Sequence, residues 1–354
     1  MGANLLTVVA ILALQSPPQD PSADTSTAHG IAYERPSDLL QYNRVQGLSV
    51  GAGYRVRLPG TRTANAYGTL RYGLSDERVT GRLTILGNVA GGRLALSGYN
   101  DIADLDPFSP GRTVGNTLNS LFAGHDNGDY ALAGGGSASF SVPIRAGLEL
   151  ILTGQVEQLT SIPRVAESAV NDFLGGTGLF PPNPPVDEGT FAGASVRLRG
   201  VGSFRWNLTA DGVAGDGTPT ARLFGDVRRR IGSGLGVTVR LKAGAATEPA
   251  RPQTLFRLGG LGTVRGFEYG TLRAPVFWAA QVDFTPFGGR VRPVIFLDAG
   301  QASQISSLFS SSALVGGGFG LSLFRGLIRL DLSSDITPDQ SSKVRFDLVV
   351  RGVR

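Results

Sequence analysis

The chain has 354 residues, 51 of them glycine, with 41% hydrophobic and 17% charged residues. Glycine at about twice its usual share, with so few charges, speaks against a helix-rich enzyme, and the hydrophobic content is too high for a disordered chain. Without cysteine there is no disulfide framework, thiolate metal site or Cys nucleophile, and the formal charge of +5 comes from scattered arginines, with lysine only at Lys242 and Lys343, so it points to no nucleic-acid partner.

Residues 5–14 form an apolar run of the length of a signal-peptide core, too short to span a bilayer, and the Pro-, Ser- and Thr-rich stretch behind it reads as a linker. Residues 1–29 are therefore expected to be a signal peptide and linker, with a buried strand or an extension as the alternative, and residues 30–354 one domain. No apolar stretch reaches 18 residues, which excludes a helical membrane protein.

From Val45 onward the apolar residues recur at every second position, the period of a strand. Fifteen such segments follow, at about 45–59, 64–76, 79–88, 91–100, 129–142, 146–159, 188–200, 203–214, 217–231, 235–247, 275–287, 290–301, 313–325, 327–336 and 343–353. Each is about the 9–11 residues that cross a bilayer as a tilted strand, or a little longer. Their polar faces are rich in Gly, Ser and Arg, and their apolar faces carry Trp206, Trp278, Phe284 and Phe346. That inversion of a soluble sheet is expected when lipid lies outside and water inside. Short links such as 59–64, 88–92 and 143–146 alternate with longer ones such as 101–128, 160–187 and 248–274, as periplasmic turns alternate with external loops. If 59–64 is a periplasmic turn, a strand must precede 45–59. The expectation is an all-β transmembrane antiparallel β-barrel of about 16 strands in the bacterial outer membrane, in contact with its lipid and lipopolysaccharide. Its first strand is expected within 30–42, interrupted by Pro36, unless that stretch is a plug.

The loop 248–274 contains F-R-L-G-G-L-G-T-V-R-G-F-E-Y-G at 256–270, and F-L-D-A-G follows at 296–300. Asp298 shares the parity of Arg292 and opposes Ile295, Leu297 and Ala299, so it belongs to the polar face, where a carboxylate calls for a partner such as Arg. The bland reading of the loop is a Gly-rich external segment with a solvated Arg. Together the two motifs resemble the bacterial surface antigen superfamily, which includes the BamA insertase, the TamA assembly factor and the two-partner-secretion translocators. Y-N-R-V-Q-G-L-S-V-G at 42–51 also resembles the opening of short barrels of this group. The resemblance covers about 30–354 and is carried mainly by 255–301.

The resemblance implies that the sixth external loop folds into the lumen and is locked there by Val264, Arg265, Gly266 and Phe267. It implies that Arg265 pairs with Asp298 on the thirteenth strand, with Phe296 and Gly300 completing that strand's pattern and Gly260 and Gly262 supporting the loop. Five predicted strands follow the loop, which puts it between the eleventh and twelfth of sixteen. The implied function is insertion or translocation of proteins or lipids at the outer membrane, with no cofactor, no metal and no catalysis. Client outer-membrane proteins and a separate periplasmic partner are the implied partners. Family members carry periplasmic POTRA domains, for which residues 1–29 leave no room, and their last strand commonly ends on an aromatic residue where this chain ends Val353-Arg354. The rival readings are a passive pore or structural surface antigen, and an outer-membrane enzyme.

Other motifs read as structural. G-x-S-x-G at 47–51 continues an alternating strand, whereas the hydrolase elbow needs a strand-to-helix turn. His125, the one candidate base, is expected to be solvated in an external loop beside Asp126 and Asp129, whose run with Asn127 and Gly128 lacks the remaining ligand spacing of an EF-hand. Arg228, Arg229 and Arg230 read as a solvated strand end beside a periplasmic turn, with lipopolysaccharide phosphates or nucleic acid as the alternative. The prolines of 181–185 suggest a stiff surface segment.

Overall fold

The computed structural model describes residues 29–336 and 344–350, apart from residues 34, 62, 169, 171, 173–176, 233 and 309. The expected signal segment and the terminal Val353-Arg354 lie outside the described residues. The chain opens with β1 (His29–Ile31) and β2 (Leu40–Asn43). Ten long strands follow: β3 (Gly47–Arg57), β4 (Asn65–Gly73), β5 (Val79–Val89), β6 (Gly92–Asp104), β7 (Tyr130–Arg145), β8 (Leu148–Ser161), β9 (Gly189–Val201), β10 (Arg205–Ala214), β11 (Thr220–Ile231) and β12 (Gly236–Ala246). A short ribbon, β13 (Phe256–Leu258) and β14 (Leu272–Ala274), precedes β15 (Val276–Thr285), β16 (Val291–Ser303), β17 (Leu314–Leu323), β18 (Ile328–Asp335) and β19 (Arg345–Val350). Each of the fifteen alternating segments thus holds one strand, β3 to β12 and β15 to β19.

Every strand from β3 onward pairs antiparallel with its successor, except that β12 pairs with β15 and the ribbon stands outside the main sheet. β1 and β2 share the free edge of β3, with Ile31 opposite Tyr54 and Asn43 opposite Gly47. Proline has no N–H to give to a ladder, and the chain leaves the edge at a 3-10 turn, Pro36–Asp38. On either side of this detour, Ala32 N donates to Gly53 O at 3.1 Å and Gly51 N to Leu39 O at 2.8 Å. The stretch expected as either strand or plug is therefore a strand broken in its middle.

The links divide the sheet into two ends. At one lie the short links 90–91, 146–147, 202–204 and 324–327, and at the other the long links 105–129, 162–188 and 247–275. The outer face keeps Leu70, Leu223, Phe319 and Leu332 more than half exposed, at 65%, 55%, 68% and 53%. An apolar band left uncovered along strand after strand is the surface that hydrocarbon would cover. The opposite face is covered by the long links. Phe256, Leu258 and Val264 pack there against Phe224, Phe277 and Ala279, with the Phe256 and Phe277 rings stacked at 4.8 Å. Burial of each large side chain in that cluster contributes about 1.5–3 kcal/mol. The link 105–129 includes a helix, α1 (Val114–Leu118), capped by Thr113 Oγ1, which accepts from Asn116 N at 3.1 Å. A single π turn, Asn119–Ala123, follows and stops at left-handed Gly124.

Candidate functional site: a locked loop tip and a helix at the strand seam

The β13–β14 ribbon holds Phe256 opposite Ala274 and projects residues 259–271 as a tip over β16 and β18. Arg265 at that tip is almost fully buried, and Asp298 on β16 is completely so. The Arg265 backbone N and Nε donate to Asp298 Oδ2 at 3.0 and 2.7 Å, and Nη2 donates to Oδ1 at 2.7 Å. The same guanidinium reaches Asp283 at 2.9 Å and Asp331 at 3.4 Å, and lies 3.8 Å above the Phe296 ring. Arg329 supplies the second positive charge, 2.7 Å from Asp283 and 2.6 Å from Asp331. Burial disfavours the charge of Arg265, but Asp298 and then Asp283 and Asp331 outweigh it and hold the group protonated, above its ordinary pKa. A bidentate fork with a backbone donor on the same carboxylate fixes position as well as charge.

The other residues singled out in the motif meet at the same place. Val264 and Phe267 are buried in the apolar cluster, and Gly300 lies beneath Leu258 and Val264. Gly260 N donates to Phe267 O at 3.2 Å, and the Gly262 carbonyl accepts from Lys242 Nζ. Gly266 has φ +94°, a conformation that favours glycine, and its Cα faces the backbone of Ser334. Gly316 on β17 is needed for a different reason, because a Cβ there would run into the carbonyl oxygen of Arg265. Gly316→Ala should therefore displace the tip and cost about 1–3 kcal/mol of stability, read as a lower thermal midpoint of the folded protein. An unchanged midpoint would mean that the tip is not seated on β17. Nothing in the sequence singles out Asp283, Arg329 and Asp331 as site residues. Their inward parity is legible, but only the register brings them beneath one loop.

At the long-link end a second charged group is buried. Arg44, in the turn between β2 and β3, donates from its backbone N to Asp126 Oδ2 at 2.9 Å and from Nη2 to Asp129 Oδ1 at 2.9 Å. Arg257 and Arg273 reach Asp129 Oδ2 at 3.0 and 3.3 Å. The expectation that His125 is solvated is corrected here, since its side chain is mostly covered and Asp126 and Asp129 beside it are buried, where they serve guanidinium groups. Burial alone would raise the pKa of Asp129, yet Arg257, Arg273 and Arg44 together hold it below the usual carboxylate value. The two long links also grip each other, with Leu261 N donating to Asn127 Oδ1 at 3.3 Å and Tyr269 OH to Asp106 Oδ2 at 3.1 Å.

The helix α1 lies between the first and last strands. On one side Thr117 Oγ1 accepts from Tyr42 N of β2 at 3.3 Å, and Gly111 O accepts from Gln41 Nε2 at 3.2 Å. On the other, Asn119 Nδ2 donates to Leu348 O of β19 at 2.9 Å while its Oδ1 accepts from Leu348 N at 2.6 Å. His125 Nδ1 stands 3.5 Å from Asp347 Oδ1 beside this contact. Among the described residues no registered pairing joins β19 to β1 or β2. An amide side chain carries both a donor and an acceptor, so Asn119 satisfies one residue of the strand edge as a single ladder rung would.

Comparison with family models matches residues 21–161 to a family of unknown function, the DUF5686 C-terminal domain. Comparison with curated proteins gives no match. Among solved structures, BamA from Haemophilus ducreyi lacking POTRA domains 1-3 is similar at a TM-score of 0.59 and 12% identity, over 87% of this chain and 68% of that one. CdiB from Acinetobacter baumannii gives 0.48 and 14%, over 87% and 57%, and CdiB from Escherichia coli 0.47 and 12%, over 87% and 60%. The chain spans less than two thirds of either CdiB chain. The likeness to BamA is one of fold.

Proposed function

We propose that this chain, a β-barrel of the BamA-like outer-membrane fold, takes part in inserting or translocating proteins or lipids at the bacterial outer membrane, without covalent catalysis. In this reading β1 and β2 count as one interrupted strand, which with β3 to β12 and β15 to β19 makes sixteen positions, an even number as in bacterial single-chain barrels. Residues 247–275 are then the sixth external loop, folded into the lumen, and Arg265 and Asp298 hold it there.

The observation that carries the proposal is the seam. A strand edge without a partner is costly in hydrocarbon and readily accepts another strand. Here the edges of β2 and β19 are engaged by side chains of a loop, contacts that an incoming strand can replace with backbone pairs by β-augmentation. A client outer-membrane protein is the partner this implies, with a separate periplasmic protein to deliver it. The alternative is a passive pore or structural barrel, which the interlocked loops at the long-link end disfavour.

The test compares proteoliposomes with and without the protein for the rate at which a client barrel folds, alongside conductance in planar bilayers. Faster client folding is the expected result. Steady conductance with client folding no faster than in empty liposomes would establish the pore reading instead.

A further inference from the structure

The covered face carries a third set of charged groups, adjoining the one that holds the loop tip. A cavity of about 940 Å³ is lined by seven arginines and three carboxylates. The carboxylates are taken: Asp226 by Arg240 at 3.3 Å, and Asp283 and Asp331 by Arg265 and Arg329. That leaves Arg197, Arg199, Arg205 and Arg228 without an ion pair to the cavity's carboxylates, with Glu149 directly opposite Arg199 across β8 and β9 outside its lining. Arg197 Nε donates to Thr209 Oγ1 at 3.2 Å, and among the described residues no hydrogen bond or ion pair engages the side chains of the other three.

The register concentrates this charge. Arg205 stands directly opposite Arg228 across β10 and β11, and Arg228 directly opposite Arg240 across β11 and β12. Like charges in directly opposed positions destabilise a sheet, so the row costs stability unless an anion joins it. The reading of 228–230 as a solvated strand end is corrected for its first residue. Arg228 lines the cavity half-buried, Arg229 lies 4.6 Å over the ring of Phe204, and Arg230 is exposed.

We propose that this cavity binds a phosphate-bearing ligand, either the headgroup of an anionic lipid or free phosphate. Guanidinium forks match phosphate oxygens bidentately, and the site contains arginine without a free lysine, which suits planar two-point recognition over a point charge. A phosphate group concentrates its charge in a small volume, so one or two of them offset part of the arginine charge inside a space of this size. The lining of the cavity also includes Leu348 and Val349 of β19 and Gly115 and Asn116 of α1. The cavity therefore reaches the seam, where a headgroup can enter while its acyl chains stay in the bilayer. The site rests on the arginine row and does not depend on client insertion.

The test uses the full chain folded in zwitterionic detergent, checked by its heat-modifiable mobility on a gel. Inorganic pyrophosphate, short-chain phosphatidylglycerol and short-chain phosphatidylcholine are titrated against the wild type, R205Q/R228Q and the milder R199Q. Pyrophosphate or phosphatidylglycerol should bind at least tenfold more weakly to the double variant and several-fold more weakly to R199Q, with phosphatidylcholine the weakest in every case. Binding of phosphatidylglycerol alone assigns the lipid source, and binding of pyrophosphate with no preference between the lipids assigns free phosphate. Without ligand the double variant should melt at or above the wild-type midpoint, because the like-charge row is relieved. A lower midpoint would make the row a structural element and overturn the site. Equal affinities in wild type and variants, no binding at all, or displacement of both anions by lower concentrations of a glutamate-rich peptide would overturn it as well.

Discussion

Reversing Arg265 to glutamate should leave the barrel largely unable to reach its compact, heat-modifiable form. The substitution removes one of the two guanidiniums that serve Asp283, Asp298 and Asp331 and sets a fourth carboxylate among them. Breaking a buried ion pair from one side costs about 3–5 kcal/mol, because the remaining charge stays desolvated. That is roughly a hundredfold to several thousandfold in the ratio of locked to unlocked loop. Removing Arg265 also ends the cation–π contact with Phe296. R265E combined with D298R restores one opposite-charge pair and should recover part of the loss, measured as the folded fraction on heat-modifiability gels and as the thermal midpoint. R265M should lie between the wild type and R265E. Full stability of R265E, or no recovery in the double variant, would show that the direct pair does not hold the loop.

Asn119 should have the second large effect, and on a different observable. N119A removes both bonds to Leu348 and leaves one N–H and one C=O at the edge of β19, at about 1–3 kcal/mol for each group left without a partner. Amide exchange at Leu348 should accelerate by one to two orders of magnitude, while amides in the middle of β7 and β8 keep their protection. N119D retains the acceptor for Leu348 N but loses the donor to Leu348 O, so it should give an intermediate result. If the seam is the working edge, N119A should also speed client folding, since the contact that an incoming strand must displace is gone. Unchanged exchange at Leu348 in N119A would remove Asn119 from any role at the seam.

The strands were legible because one physical circumstance repeats along each of them. Where lipid lies on one side of a sheet and polar side chains on the other, every spanning segment must alternate, and tertiary context has little freedom to override it. Pro36 was legible as an interruption, though not as one whose two flanks would stay on the same neighbour. Arg265 and Asp298 were legible from a motif and a parity argument. Asp283, Arg329 and Asp331 were not, because each is an ordinary inward polar position until the register sets Asp283 opposite Phe296 and Asp331 opposite Gly320. The loops were least legible. Asp126 looks solvated in its own sequence context, and its partner Arg44 lies 82 positions away.

That separation bears on how the molecule is completed. Asp129 draws one partner from the first turn of the chain and another, Arg257, from 128 residues further along. A chain that stops short of the ribbon would keep Asp126 and Asp129 against Arg44 alone, two buried carboxylates sharing one positive charge. Contacts closed over such distances form late, after the entropy of the intervening chain has been lost. Charge balance at the long-link end is therefore a property of the assembled molecule, complete only once the link 247–275 has joined the rest of the sheet.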